Sequence, residues 1–401
     1  MCNQMGCGSS NESVHTENVS PQPSDYYTER ASGVSRANGG VHSDQTVFEA
    51  YIKLDEEVCK LEAECPGPKL ITIEAWIKYL ESKQEVLTND IIQLPLHMLD
   101  DDFDEEQETA KYNRRTRLEK DNESELKVRD LIESLNIMTD TTQAAKHEEF
   151  FANISRRYIE SCNEALKDDI LEHAQKRAND LRELWTKLRM KYNELDALMS
   201  SISGNNYTNP NEMNIDTELE SSRQIRDKLG GTAEQWRTSA NLLRTSAKSA
   251  LLANEHYTLI QTSSSVKDKI TSATDCRTAL LGSLMAFKCA QEALPQVDIP
   301  HITNRQIVAV AHANEYLLTD IGNSERYQHT KHVLDAYHKS LSKSTIWIHD
   351  IFQKTLIKDL QEAENSVKLL SEKLRQIRAD YIRAKVGYQT YVPIEDGQTA
   401  S

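Results

Sequence analysis

The chain is short of the residues that build sheets and tight loops. Only 6% of its 401 residues are aromatic, and it has 13 glycines and 9 prolines. Such scarcity excludes a β-sandwich or barrel and leaves little for the glycine-rich loops of α/β enzymes. It also lacks an apolar run of about 20 residues and the apolar core of a signal peptide, so nothing reads as a spanning or secretory segment. Lys and Arg are outnumbered by Asp and Glu, 47 against 63, for a net charge of −16. That deficit argues against nucleic acid as a partner, because phosphate contacts need a surplus of basic side chains.

Other absences concern chemistry. Seven cysteines (2, 7, 59, 65, 162, 276 and 289) contain no C-x-x-C pair. They read as free thiols in a reducing, cytoplasmic setting. There is no phosphate-binding G-x-x-x-x-G-K-[ST], no H-E-x-x-H and no G-x-S-x-G. Cys276 and Cys289 sit in a stretch rich in small residues, where cysteine behaves as a core residue. "HTKHVLDAYH" holds His329, His332, Asp335 and His338, residue types that can ligate a metal. Each three-residue step turns an ideal helix by about 300°, which puts His329 and His338 on opposite faces. The expectation is no catalytic residue, no metal and no cofactor.

What is present is helical periodicity. Val47, Tyr51, Leu54, Val58 and Leu61 recur at 4-3-4-3 spacing, the stripe of an amphipathic helix. "CPGP" at 65–68 stops it, and a second short helix is expected from about Thr72. An acidic run, "DDDFDEEQE", occupies 100–108 and reads as a linker. A long helix is expected over about 143–203. Its seam runs Leu171, Ala174, Ala178, Leu181, Trp185, Leu188, Tyr192, Leu195, Met199, Ile202 in strict 3-4 steps. Gly230-Gly231 reads as a break, with Thr232 to Gln235 as a capping box that restarts the helix. Ser265 can cap a helix that Pro295 ends, and Thr303 to Gln306 opens another that Gly322-Asn323 breaks. The last helix, about 325–388, has the seam Leu356, Leu360, Ala363, Val367, Leu370, Leu374, Ile377, Tyr381, Ala384, Tyr388. The two seams are roughly 46 and 48 Å long, matched lengths that suit pairing within one chain or with a second copy.

The expected fold is therefore all-α: an elongated bundle with long, coiled-coil-like helices and disordered tails. The expected organisation is a disordered stretch at 1–46, short helices at 47–99, the acidic linker at 100–108, the bundle at 109–388 and a flexible tail at 389–401. Small residues crowd 273–293 (Ala273, Ala279, Gly282, Ser283, Ala286, Cys289, Ala290, Ala293), which predicts close helix packing, with a groove for a partner helix as the alternative.

Two features bear on a membrane. Read from Met5, the chain spells M-G-C-G-S-S, the N-myristoylation pattern, with Cys7 beside Gly6 for a palmitate. This requires a start at Met5, because the transferase needs Gly6 at the N-terminus. Two acyl chains anchor stably where one does not. The end of the last helix carries Lys373, Arg375, Arg378, Arg383 and Lys385, candidates for contact with anionic lipid or for pairing with carboxylates elsewhere in an acidic protein. The sequence thus points to a non-enzymatic scaffold or adaptor that meets other proteins through helical surfaces, on the cytosolic face of a membrane if acylated. Alternatives are a BAR-like membrane-shaping dimer and a cytoskeletal or organelle-associated coiled-coil homodimer.

Overall fold

The computed structural model describes residues 46–92, 127–203 and 210–386. They form an all-α chain: among the described residues there is no strand. The helices are α1 (Val47–Ala63), α2 (Pro66–Ile92), α3 (Thr141–Lys146), α4 (Glu148–Ser203), α5 (Pro210–Thr262), α6 (Val266–Ala293), α7 (Asn304–Asp320), α8 (Ser324–Ile351) and α9 (Ile357–Val386). A further helical segment covers 127–134. A π-helical stretch, Phe352–Leu356, joins α8 to α9 without a turn. The 56 residues of α4 rise roughly 84 Å and the 53 of α5 roughly 80 Å. The linker at 100–108 and both terminal tails lie outside the described residues.

Local chemistry explains most boundaries. At α1, Glu49 N donates to Thr46 Oγ1 (3.2 Å) and Thr46 N donates to Glu49 Oε2 (3.0 Å), a reciprocal cap. Thr303 and Gln306 make the same arrangement at α7. Asn323 caps α8 by accepting from the amides of Glu325 and Arg326. Ser265 occupies the cap position of α6, but its hydroxyl makes no capping bond.

Two sequence expectations are corrected. α2 begins at Pro66, not Thr72, because proline is tolerated in a first turn, where its missing N–H would find no helical partner. The expected break at Gly230-Gly231 does not occur, and α5 runs through it. Thr232 is no cap: its hydroxyl donates back to Lys228 O at 2.9 Å. The glycines are there for clearance. A Cβ on Gly230 would lie 2.8 Å from Cys65 Cβ, and one on Gly231 would lie 3.1 Å from Thr72 Oγ1. The α1–α2 turn presses against α5 at this point.

α5 is the axis of the structure, packing against α2, α6, α8 and α9. Its closest neighbour is α6. Ser246 Oγ donates to Ser283 O and Ser283 Oγ donates to Ser246 O, both at 2.8 Å. Ser239 Oγ donates to Ala290 O, also at 2.8 Å. Hydroxyls reach a neighbouring helix backbone only when the axes approach closely, which the small residues of α6 permit. The main core gathers here, with Leu243, Tyr257, Ile260, Cys276, Phe287, Leu317, Tyr327, Leu334 and Leu341.

Candidate interaction cleft around the first helix

α1 lies between the C-terminal ends of the two long seam-bearing helices. Its buried residues are Ala50, Tyr51, Leu54, Val58 and Glu62. They pack against Leu188, Leu195, Leu198 and Ile202 of α4 and Ala379 and Ile382 of α9. The upper part of the α4 seam, with Leu171 half-buried and Leu181 buried, packs instead against Leu70, Ile73, Trp76 and Leu80 of α2. Trp185 touches both groups. In α9, Val367, Leu370 and Leu374 meet Ile215 and Leu219 of α5, while Leu360 and Ile377 are half-buried. The two seams therefore do not pair along their length. They converge only around α1. A 3-4 spacing marks the inward face of any long helix packed at a shallow angle and does not name what covers it.

Basic side chains of the cleft walls meet the acids of α1, and several also pair with carboxylates of the walls themselves, Lys191 with Glu194 and Arg226 with Asp227. Asp55 pairs with Arg375, and Glu56 lies 3.8 Å from the same guanidinium. Glu57 pairs with Lys191 at 3.2 Å. Arg223 Nε donates to Glu62 Oε2 at 3.2 Å, with a second contact of 2.9 Å to the other oxygen. Arg226 lies 3.5 Å from Glu62 and 3.7 Å from Glu364, and hydrogen-bonds Asp227. The Arg383 guanidinium stands 4.2 Å over the Phe48 ring. Glu62 and Arg226 are each only 2–3% exposed. Burial pushes the Glu62 carboxyl up, opposed by Arg223 and then Arg226. Burial also works against the charge of Arg226, but Glu62 and Asp227 outweigh it and hold its guanidinium above the ordinary value.

The fit is incomplete at two points. The hydroxyls of Tyr51 and Tyr192 are buried in this cluster with no hydrogen-bond partner among the described residues. The joint to α2 is also unusual, since Cys65 has a φ of +48°, the left-handed region that non-glycine residues seldom adopt.

The other residues singled out from sequence fall as follows. Gly6 and Cys7 lie outside the described residues. Of the basic row, Lys373 is exposed and Arg375 holds Asp55. Arg378 holds Glu212 at 2.9 Å and Asp216 at 3.7 Å. Arg383 pairs with Asp380 (3.3 Å), and Lys385 Nζ donates to Tyr381 OH (2.8 Å). His329 and His332 are exposed, and Asp335 and His338 are half-buried. Among the described residues, no group of three or more His, Cys, Asp or Glu is placed to hold a metal ion. Cys276 and Cys289 are buried, and burial raises both thiols, Cys289 to about 11, so they stay protonated near neutral pH. No described helix is long and apolar enough to cross a membrane.

Sequence reading missed Asp55, Glu62, Lys191, Arg223 and Arg226. The stripe of α1 reads 47-51-54-58-61, so Glu62 looks like a solvent-facing neighbour of Leu61. Arg223 and Arg226 lie in a polar stretch with no apolar pattern around them. The arrival of α1, together with Glu364 of α9, makes them inward.

No family model, no curated protein and no solved structure matches the chain. Its class is thus an all-α helical protein, defined by its own geometry.

Proposed function

We propose that this chain is a non-enzymatic scaffold or adaptor, an elongated bundle of long helices that binds other proteins and is tethered to a membrane through Gly6 and Cys7. The observation that carries this reading is how α1 is held. It directly follows the N-terminal stretch with the acylation pattern, and it is keyed by ion pairs to α4, α5 and α9 together. A tether acting on the N-terminal stretch would hand its load to three long helices at once. The buried thiols and the intramolecular use of Arg375 and Arg378 fit a structural role better than a reactive or lipid-binding one.

The test is the intact mass of the native protein's N-terminal peptide, together with fractionation of a Gly6→Ala chain. A peptide beginning at Gly6 and heavier by a myristoyl group, with loss of membrane association in the variant, is the expected result. A peptide beginning at Met1 or Cys2 without acyl mass removes the tether. Binding of the unacylated chain to anionic liposomes would instead favour the membrane-shaping reading.

A further inference from the structure

We infer that the exposed face of α5 joins two copies of this chain, antiparallel and related by a two-fold axis between Leu251 and Leu252. The inference goes beyond the adaptor reading and concerns a surface that reading does not use.

In its C-terminal half α5 is covered on one side. Ser246, Ala250, Ala253, Tyr257 and Ile260 step by 4-3-4-3 and are buried. Ser246 meets Ser283 of α6 and Tyr257 stacks on Tyr327 of α8. On the opposite side Lys248, Leu251, Leu252, Glu255 and Leu259 are all exposed. On an ideal helix these five point within about 100° of one another. Arg244 and Thr262, also exposed, extend the face to roughly 27 Å. Leu251, Leu252 and Leu259 are between 41% and 50% exposed. A single exposed leucine is ordinary, but three on one bare helix face form a contact surface.

Charge and symmetry decide the occupant. Lys248 precedes Leu251 by three residues, and Glu255 follows Leu252 by three. Opposite charges at equal distances from a central leucine pair are what a two-fold axis can use. About that axis, Lys248 of each copy faces Glu255 of the other, on both sides of a four-leucine centre. Leu259 then lies against the aliphatic stem of the other copy's Arg244. Competing arrangements bring like charges together, which is unfavourable. Parallel pairing in register sets Lys248 against Lys248. An axis through Glu255, which would bring Leu251 to Leu259, sets two carboxylates face to face. One helix face of this length is small for a specific interface, so the dimer should depend on concentration.

The full-length chain tests this. Sedimentation velocity over a hundredfold concentration range should show reversible monomer–dimer exchange. Lys248→Glu and Glu255→Lys, both at exposed positions, should each keep wild-type helicity and raise the dimer dissociation constant at least tenfold, because each sets like charges across the axis. The chain carrying both changes restores the opposite-charge pairs and should recover to within about threefold of wild type. In a mixture of isotopically light and heavy chains, carbodiimide should join Lys248 of one copy to Glu255 of the other. A chain that stays monomeric over the whole range would overturn the inference and leave the face to another occupant. A dimer that neither single change weakens would place the interface elsewhere and overturn it as well. None of these readouts depends on acylation, so failure of the tether is seen separately.

Discussion

Tyr257 of α5 and Tyr327 of α8 stack at 4.6 Å between ring centroids, 9° from parallel, and each donates its hydroxyl to the other's backbone carbonyl. The two bonds are 3.3 Å from Tyr257 and 2.9 Å from Tyr327. Both rings are almost wholly inaccessible. Removing either hydroxyl should cost about 0.5–1.5 kcal/mol. Because the rings share one packed site, Tyr257→Phe and Tyr327→Phe should be non-additive in a double-mutant cycle read by urea denaturation. Strict additivity would mean that the two bonds act independently.

The same tyrosines set an alkaline limit. Burial raises Tyr51, Tyr257, Tyr327 and Tyr337 above the ordinary value of about 10. Above that pH the unfolded chain loses phenolic protons that the native chain keeps. The native state then binds more protons, and stability falls as pH rises. Unfolding free energy should be flat in this respect below about pH 9 and decline above about pH 10. Phe at 257 and 327 should reduce the slope.

Gly230→Ala separates local propensity from tertiary contact. In an exposed helix the change would gain about 1 kcal/mol. Here the new Cβ meets Cys65 Cβ at 2.8 Å, so a loss of about 1–3 kcal/mol is expected. Gly231→Ala should lose less, because the Thr72 hydroxyl it meets can rotate. Chemical denaturation midpoints of the two variants check this order.

Glu62→Ala removes the buried carboxylate that Arg223 hydrogen-bonds and that lies 3.5 Å from the buried Arg226. Loss of one partner from such a buried pair typically costs about 3–5 kcal/mol. Lys354→Ala, which breaks a surface pair with Asp350, should change stability by less than about 0.5 kcal/mol. Comparable effects of the two would refute the buried network as a structural centre.

Thiol reactivity should divide along burial. Cys65, Cys276 and Cys289 are buried and pushed up, Cys65 to about 11, whereas Cys162 is half-exposed. Brief iodoacetamide treatment of the native chain at pH 7.5 should label Cys162 well before those three, as read by peptide mass mapping.

The features legible in sequence were those set by neighbours a few residues apart. The reciprocal cap at Thr303 and Gln306, the stop at Pro295 and the break at Gly322-Asn323 depend on backbone groups within one turn, so local chemistry determined them. The helical class followed from low glycine, proline and aromatic content and from 3-4 apolar spacing. The inward faces of α4 and α9 were legible too, since Leu181, Leu188, Leu195, Val367 and Leu374 are buried.

Tertiary structure alone decided what meets those faces. Spacing reports a direction around a helix axis and carries no information on which helix arrives there, so α1 and α2 could take the place offered to a second seam. Gly230-Gly231 reads as a break because glycine lowers helix propensity, and only the approach of Cys65 and Thr72 turns it into clearance inside a continuous helix. Glu62, Arg223 and Arg226 look solvated in sequence because a charge is expected to seek water. Their burial is tolerable only once three helices bring opposite charges within about 4 Å of one another.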